Sequence, residues 1–333
     1  MRALITGIAG FAGSHLADHL LEEGGTEVHG IVSPSRPTPN IAHCCDRLVL
    51  HSADLMDAAA VRAAVQASEP DCVYHLAARA AVGQSWRDPE GTLVTNAVMQ
   101  LNLLRTIAEV RPECRVLVVG SADEYGRVPA EELPVSEHTP LRPLNPYAVS
   151  KITQDYLGYQ YFLARGLHVI RVRPFNHIGP RQAQGFVVPD FASQIANIEA
   201  GLAEPVMRVG NLTARRDFTD VRDMVRAYRL AIAHGAPGAV YNIGRSASHA
   251  IQEILDGLLA LSTASVRVEQ DPARMRPSDI PEIVCDCRLF REATGWQPHL
   301  SISQSLQDVL DEWRGAARRH VCQAEQPPHT RDV

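Results

Sequence analysis

The chain has 333 residues, of which 45% are apolar and 21% are charged, a composition that excludes disorder over most of its length. Its 32 basic and 38 acidic side chains give a net charge of −6 and form no long basic run, so we expect no nucleic-acid partner. No stretch approaches the roughly 20 apolar residues of a membrane span, so we also expect no membrane partner.

Short apolar runs alternate with helical patterns through the first half of the sequence. The predicted strands cover residues 2–6, 27–32, 47–51, 71–75, 115–120 and 167–173. The predicted helices between them cover residues 11–23, 58–67, 93–110 and 147–165. Strands that alternate with helices form parallel βαβ units. The pattern therefore predicts an α/β fold with a Rossmann-type, doubly wound parallel sheet.

Proline and glycine become frequent after about residue 175, and the predicted elements become shorter. Helices are predicted at residues 191–201, 223–234 and 251–261, and strands at 239–243 and 266–269. We therefore expect a dinucleotide-binding domain over residues 1–175, to which some later strands and helices return. A smaller α/β substrate lobe is predicted over residues 176–314, and the polar segment 315–333 is predicted to be a loose tail.

The seven cysteines are scattered and odd in number. The pair Cys285 and Cys287 has no second pair at zinc spacing, and no histidine cluster accompanies it. The first residues lack the apolar run of a secretory signal. We therefore expect reduced thiols, no bound metal and a cytoplasmic location.

A glycine-rich turn follows the first strand and opens the first helix. Gly7 allows a tight turn, Gly10 allows backbone N–H groups to approach a pyrophosphate, and Gly13 allows the helix to lie close to the strand. Phe11 and Ala12 begin the helix between these glycines. The position and spacing of the turn indicate a dinucleotide-binding site.

The second strand does not end in the acidic residue that binds the ribose 2′-hydroxyl of NAD. It runs instead into Ser33 and Arg36, whose hydroxyl and guanidinium groups suit a 2′-phosphate. The loop therefore favours NADP, although a solvent-exposed Arg36 that binds nothing would leave NAD possible.

Tyr147 and Lys151 are four residues apart at the start of a predicted helix and therefore lie on one face. A tyrosine has an ordinary pKa near ~10, and a nearby ammonium is expected to lower that pKa. The pair could then exchange a proton with the carbonyl or hydroxyl group that exchanges hydride. Ser121, which follows a predicted strand, is expected to complete this catalytic group.

Over residues 1–314 the sequence resembles the extended short-chain dehydrogenase/reductase family, in particular its nucleotide-sugar branch. The motifs that carry the resemblance are the three glycines, Asp54-Leu55, His75-Leu76-Ala77-Ala78, Asn96, Tyr147-x-x-x-Lys151 and Arg173-Pro174-Phe175-Asn176. Within that branch, residues 175–180, 210–212 and 216–223 are most similar to enzymes that act on GDP-sugars.

The resemblance implies further site residues. Asp54 and Leu55 would flank the adenine, Leu76, Ala77 and Ala78 would line the cofactor groove, and Lys151 would also hold the nicotinamide ribose. The substrate residues that it implies are Asn176, Val187, Asn211, Arg216, Arg276 and Glu282. It also implies a homodimer through helices 93–110 and 147–165, with Leu101, Leu104, Ile152 and Leu157 on their apolar faces.

The loop that begins at Ser121 distinguishes between reactions. A 4,6-dehydratase of this family needs a base for the C5 proton and an acid for the leaving hydroxyl, whereas ketone reduction needs only Ser121, Tyr147 and Lys151. Ala122 offers no polar group, and Asp123 is one methylene shorter than the expected glutamate, although a register shift would bring in Glu124. We therefore expect NADPH-dependent reduction of a GDP-4-keto-6-deoxy sugar. A dehydratase, an epimerase and a non-catalytic dinucleotide-binding regulator remain the alternatives.

Overall fold

The computed structural model describes residues 1–275 and 280–324, the last three by their backbone alone. In chain order its strands are β1 (Arg2–Thr6), β2 (Glu27–Val32), β3 (Val49–Ser52), β4 (Cys72–His75), β5 (Arg115–Val119), β6 (Val169–Pro174), β7 (Asn176–Ile178), β8 (Val206–Val209), β9 (Arg215–Asp220), β10 (Val240–Ile243), β11 (Ser248–Ala250), β12 (Arg267–Gln270) and β13 (Glu282–Ile283). Its α-helices are α1 (Phe11–Glu23), α2 (Ala58–Ser68), α3 (Val82–Arg87), α4 (Pro89–Val110), α5 (Pro146–Arg165), α6 (Val187–Glu199), α7 (Val221–His234), α8 (Ile251–Ala260), α9 (Arg288–Thr294) and α10 (Ile302–Ala324).

A seven-stranded sheet has the order β3-β2-β1-β4-β5-β6-β10, and all its neighbouring strands are parallel. In the central strand β1, Ile5 lies opposite Gly30 of β2 on one side and opposite Tyr74 of β4 on the other. The strand order reverses between β1 and β4, which is where doubly wound sheets open a crevice for ligands. The sheet confirms the predicted Rossmann-type fold.

The central strands are apolar because helices cover both faces of a parallel sheet. Val116, Leu117 and Val118 on β5 are fully buried. A Cβ atom at Gly158 of α5 would lie 3.1 Å from Val118 and from Val169, so this glycine allows the helix to approach the sheet closely. That approach brings the first turns of α5 near the end of β5.

The chain forms two compact units. The first comprises residues 1–177, 216–248 and 282–299 and contains the seven-stranded sheet. The second comprises the described residues 178–215, 249–275, 280–281 and 300–324 and contains α6, α8, α10 and the parallel pair β8 and β12. A further small sheet joins β11, β9 and β13, with β7 also pairing with β9. This sheet is not predicted from the sequence, because most of its strands have only two or three residues.

Several helix boundaries differ from prediction. Helix α4 begins at Pro89 rather than at residue 93, because the side chain of Asp88 caps it by accepting the N–H of Gly91. Helix α10 continues to Ala324, into the segment predicted as a loose tail. Its Ala317 is buried and its Arg314 is bonded to Glu199, so tertiary contacts hold it. No helix in the described part of the chain has both the length and the apolar character needed to cross a bilayer.

Candidate active site

The glycine turn packs closely against the segment that follows β4. Gly7 has a φ of +74°, and a Cβ atom there would lie 2.9 Å from the backbone of Ala77. A Cβ atom at Gly13 would lie 2.2 Å from the carbonyl oxygen of Gly7, and the N–H of Gly10 donates to that same oxygen at 2.9 Å. Side chains at Gly7 and Gly13 would therefore force the turn apart.

The N-terminus of α1 is suited to an anion. Gly10 occupies the N-cap position, no side chain caps this end and no acidic residue lies in the first turn. The amide groups of a helix start then remain available to a phosphate. Phe11, which is half-buried like Ala12, stacks on His177 with ring centroids 5.7 Å apart. This cradle fits the pyrophosphate of a dinucleotide.

Ser33 and Arg36 follow the carboxyl end of β2 in a tight turn. The N–H of Arg36 donates to the carbonyl oxygen of Ser33 at 3.3 Å, and the hydroxyl of Ser33 lies 3.1 Å from that of Ser35. Both Ser33 and Arg36 are accessible, and the guanidinium of Arg36 forms no ion pair within residues 1–275 and 280–324. This turn can receive a phosphate without breaking an existing pair.

The other predicted cofactor residues follow β3 and β4 at the same carboxyl edge of the sheet. Asp54 is exposed and its carboxylate accepts the N–H of Met56 at 2.9 Å, whereas Leu55 is buried. The N–H of Leu76 donates to the carbonyl oxygen of Thr6 at 3.2 Å, which ties this segment to the end of β1. Leu76, Ala77 and Ala78 are all partly exposed.

Ser121, Tyr147 and Lys151 lie together at the end of β5. Tyr147 and Lys151 occupy the first turns of α5, whose N-terminus Asn145 caps. The ammonium of Lys151 donates to the carbonyl oxygen of Val119 at 2.8 Å and lies 5.9 Å from the centroid of the Tyr147 ring. The Ser121 side chain, whose hydroxyl accepts the N–H of Asp123 at 3.1 Å, also acts to lower the pKa of Tyr147.

Burial dominates the protonation of this pair. The pKa of Tyr147 lies above its ordinary value, first because the phenol is buried and second because of the negative charge on Asp123, and the hydrogen bond with Ser121 only partly offsets this. Burial lowers the pKa of Lys151 to about 8, against an opposing effect of Glu124. The pKa of Tyr147 is therefore raised and not lowered as expected, and burial is the main cause.

The two carboxylates after Ser121 have different environments. Asp123 is half-buried, whereas Glu124 is fully buried. Glu124 accepts the N–H of Ser121 at 2.8 Å and pairs with Arg173 at 3.0 Å. Burial and the charge of Asp155 raise the pKa of Glu124 to about 8. Glu124, which a register shift would bring into the reaction, is thus paired with Arg173 inside the protein, and Ala122 is buried as well.

A buried polar chain behind Tyr147 was missed by the sequence analysis. Asn96 donates to the hydroxyl of Ser150 at 2.9 Å, and that hydroxyl donates to the carbonyl oxygen of Tyr147 at 2.7 Å. Gln154 donates to the carbonyl oxygen of Asn96 at 3.0 Å and lies 3.3 Å from a ring nitrogen of His75. The polar residues Ser150 and Gln154 on the core-facing side of α5 were the sequence signal that could have predicted this chain of hydrogen bonds.

The predicted substrate residues are divided between the two units. In the first unit, Asn176 is exposed at the start of β7, Arg216 is half-buried on β9, and Glu282 on β13 accepts a hydrogen bond from Ser248. In the second unit, Val187 begins α6, and Asn211 accepts the N–H and the hydroxyl of Thr213 at 2.9 and 2.8 Å. The predicted Arg276 lies outside the described residues.

One group of metal-ligand types occurs among the described residues. Asp18, His43 and Cys44 have ligand atoms within 4.8 Å of one another. An ion pair of 2.7 Å between His43 and Asp18, and a hydrogen bond of 3.5 Å from Cys44 to the carbonyl oxygen of Ile41, account for their arrangement.

The family model described as GDP-mannose 4,6 dehydratase matches residues 4–309. The chain belongs to this family. Among curated members, it is 34% identical to the GDP-6-deoxy-D-mannose reductase of Pseudomonas aeruginosa, over 95% of this chain and 98% of that one. It is 31% identical to GDP-mannose 4,6 dehydratase 1 of Arabidopsis thaliana, over 97% and 92% of the two chains.

A solved structure agrees with this membership of the GDP-mannose 4,6 dehydratase family. RMD from Pseudomonas aeruginosa, determined in complex with NADPH, superposes with a TM-score of 0.84 at 33% identity and covers 95% of this chain and 99% of its own. The family contains both a reductase and dehydratases among these relatives. Membership of the family therefore identifies an NAD(P)-dependent oxidoreductase of nucleotide sugars. It does not distinguish reduction from dehydration, which depends on the residues of the site.

Proposed function

We propose that this protein is an NADPH-dependent reductase of the C4 ketone of GDP-4-keto-6-deoxy-mannose, with a GDP-6-deoxyhexose of the GDP-rhamnose type as product. The loop after β5 carries the proposal. It carries Ser121, whose side chain acts on the pKa of Tyr147, and it offers the reaction no polar group at Ala122 and no accessible carboxylate at Glu124. The 34% identity to a GDP-6-deoxy-D-mannose reductase over almost the whole of both chains supports this direction.

Tyr147 is the proposed proton donor. The phenol, whose pKa is raised, is protonated at neutral pH and can give its proton to the ketone oxygen. Ser121 would orient that oxygen, and the charge of Lys151 would stabilise the phenolate that remains. When bound, the nicotinamide nucleotide supplies the hydride for C4.

The chain's own residues fit that cofactor. The uncapped start of α1, with Gly7, Gly10, Phe11, Ala12 and Gly13, would hold the pyrophosphate. The residues proposed for the rest of the dinucleotide are Ser33, Arg36, Asp54, Leu55, Leu76, Ala77, Ala78, Tyr147 and Lys151. The accessible Ser33 and Arg36 favour NADP over NAD, and the binding of NADPH by the similar RMD supports this choice.

The proposed nucleotide site uses charge and amide groups. Arg216 and Arg276 would neutralise the diphosphate of GDP, because a guanidinium forms paired hydrogen bonds with phosphate oxygens. Asn176 and Asn211 would donate amide hydrogens, and Val187 and Glu282 would contact the guanine.

A dehydratase is the second candidate, because one carboxylate is suitably placed. Asp123 is half-exposed and close enough to Tyr147 to raise the pKa of that tyrosine. It could remove the C5 proton of GDP-mannose, but an elimination also needs an acid for the leaving hydroxyl. Neither the methyl group of Ala122 nor the buried Glu124 supplies one.

We also propose a homodimer. Helices α4 and α5 carry exposed apolar side chains at intervals of seven residues, which places them on one side of each helix. We define the paired-helix face as Val94, Leu101, Val149, Tyr156 and Leu163, which are 40–64% exposed. The predicted Leu104 and Leu157 pack instead into the core. A cytoplasmic location is also proposed, in keeping with six free cysteines among the described residues.

A paired assay tests the proposed reaction. One sample contains GDP-mannose with NADP⁺, and the other contains GDP-4-keto-6-deoxy-mannose with NADPH. A reductase consumes NADPH in the second sample and leaves the first unchanged, as followed by nicotinamide absorbance and product NMR. Loss of water from GDP-mannose without net cofactor change would identify a dehydratase, and inactivity in both samples would contradict both candidates.

A further inference from the structure

A buried cluster of four ionisable residues lies directly behind Ser121. Glu124, Asp155, Arg171 and Arg173 are each at most 7% exposed. Removing charges from water is costly, and an apolar cluster of similar volume is often at least as stable. Stability alone therefore does not explain this cluster. Its members also connect Ser121 to helix α5.

The cluster links Ser121 to α5 through a continuous series of contacts. The N–H of Ser121 donates to one oxygen of Glu124 at 2.8 Å, and the other oxygen pairs with the Nε of Arg173 at 3.0 Å. Arg173 also donates to Asp155 at 2.7 Å. Asp155 is four residues after Lys151, which is one turn of the same helix.

The series closes on itself, because Lys151 donates to the carbonyl oxygen of Val119 at 2.8 Å and Val119 is two residues before Ser121. The position of Arg173 is fixed from another side by Tyr125, whose hydroxyl accepts from Arg173 at 3.0 Å and donates to Asn242 at 2.7 Å. The guanidinium therefore has little freedom to shift.

Gly120 leaves the space that this arrangement needs. A Cβ atom at that position would lie 2.3 Å from the Glu124 carboxylate and 3.1 Å from the carbonyl oxygen of Val172. The backbone before Ser121 is thus free of a side chain where the carboxylate approaches it.

We propose that Glu124 and Arg173 are positioning residues, which hold the Ser121 hydroxyl in line with Tyr147 and Lys151 without touching the substrate themselves. This inference rests on the proposed reductase function. A misplacement of about 1 Å at a reacting group can reduce a rate by about 100-fold. Loosening the contacts from Ser121 through Glu124 to Arg173 should therefore lower kcat.

Arg171 provides a matched control within the same cluster. It is buried like Arg173 and pairs with the other oxygen of Asp155 at 2.5 Å. Its second contact, however, is with the carbonyl oxygen of Gly238 at 2.8 Å and not with Glu124. A purely structural cluster would make both arginines equally important for turnover, whereas the proposed link makes only Arg173 important.

The first test compares kcat, KM and NADPH affinity for Glu124→Ala, Glu124→Gln, Arg173→Met and Arg171→Met. We expect Glu124→Ala and Arg173→Met to lose kcat by ~10- to 100-fold, with NADPH affinity changed less than about twofold. Glu124→Gln retains an oxygen that accepts the N–H of Ser121 and should recover part of the loss. Arg171→Met should lower the melting temperature but keep kcat within about twofold.

The second test needs no substrate. Amide hydrogen exchange at Ser121 reports the bond to Glu124 directly, and it should accelerate in Glu124→Ala and Arg173→Met but not in Arg171→Met. If Glu124→Ala does not fold, Arg173→Met decides through its kcat and its exchange at Ser121.

Three results would overturn the inference: wild-type kcat in a folded Glu124→Ala protein, equal losses of kcat in the Arg171 and Arg173 variants, or unchanged exchange at Ser121 in Glu124→Ala and Arg173→Met. A wild-type protein that leaves the ketone unreduced would instead contradict the proposed function, while the exchange measurement would still test the link.

Discussion

Burial governs the acid–base chemistry of Tyr147 more strongly than the neighbouring Lys151 does. The phenol has a raised pKa, while the pKa of the buried lysine falls to about 8. The tyrosine is therefore a proton donor at neutral pH, and the lysine is the group whose charge changes near it. This combination suits a reduction, in which the ketone oxygen must receive a proton.

Removing the phenolic hydroxyl tests the donor. Tyr147→Phe deletes the donated proton but keeps the ring, so we expect kcat to fall by at least ~100-fold. NADPH affinity, measured by fluorescence titration, should change little, because the ring and Lys151 remain. Turnover at the wild-type rate would show that another group donates the proton.

The rate should depend on the charge of Lys151. Its pKa of about 8 means that the ammonium is present below that pH and is lost above it. At saturating NADPH, kcat/KM for the ketone should therefore decline above about pH 8, approaching tenfold per pH unit. A profile that stays level to about pH 10 would contradict this role.

Arg36 should distinguish the two nicotinamide cofactors. Arg36→Ala removes a guanidinium that is free to bind a 2′-phosphate, so the Kd of NADPH should rise by about 10-fold. The Kd of NADH should hardly change, since NADH lacks that phosphate, and this serves as the internal control. Equal effects on both cofactors would show that Arg36 does not select between them.

At the scale of elements, short polar contacts decide where helices begin, end and dock. Asp88 starts α4 earlier than its apolar pattern indicates. Helix α10 is held to α6 by Arg314, which forms two hydrogen bonds of 2.7 and 2.8 Å with Glu199. That pairing lowers the pKa of Glu199 to about 2. The C-terminal helix is therefore an integral part of the second unit.

Breaking this ion pair should destabilise the protein measurably. The two side chains are only 16% and 10% exposed, so we expect Arg314→Gln to lower the free energy of unfolding by about 1–2 kcal/mol in urea titrations. Arg288→Gln is the control, because Arg288 is 81% exposed in its pair with Asp286 and should change stability by less than about 0.5 kcal/mol. Equal effects would mean that burial does not strengthen the Glu199 pair.

At the scale of the whole molecule, parallel strands collect residues from distant parts of the sequence at one edge. The glycine turn, Ser33, Leu76 and Ser121 follow β1, β2, β4 and β5, whose carboxyl ends all lie at the same edge of the sheet. Helices α4 and α5, which lie against this sheet, leave the paired-helix face exposed. We therefore expect the molecule to associate through that face.

One substitution can test this association. Because a twofold interface uses the same patch on both copies, Leu101→Glu would introduce two charges into it and should convert a dimer to a monomer in sedimentation analysis. Leu289→Glu, at a residue that is 43% exposed on α9 and outside the face, should leave the dimer intact. A monomeric wild-type protein, or a dimer that tolerates Leu101→Glu, would contradict the proposed interface.

Local chain chemistry was enough to predict much of this protein. The apolar runs predict the central strands, the spacing of Gly7, Gly10 and Gly13 predicts the dinucleotide turn, and the interval between Tyr147 and Lys151 places them on one helix face. Each of these signals lies within a few residues of sequence, where strand alternation, backbone freedom and helix periodicity act directly.

Only the tertiary structure decided the properties that depend on distant neighbours. Glu124 and Asp123 are adjacent in sequence, yet one is buried against Arg173 and the other is half-exposed, because the partner of Glu124 comes from β6. The raised pKa of Tyr147 likewise depends on packing that surrounds it from several elements. Desolvation and ion pairing act through space, and a linear sequence does not specify which distant residues will be close.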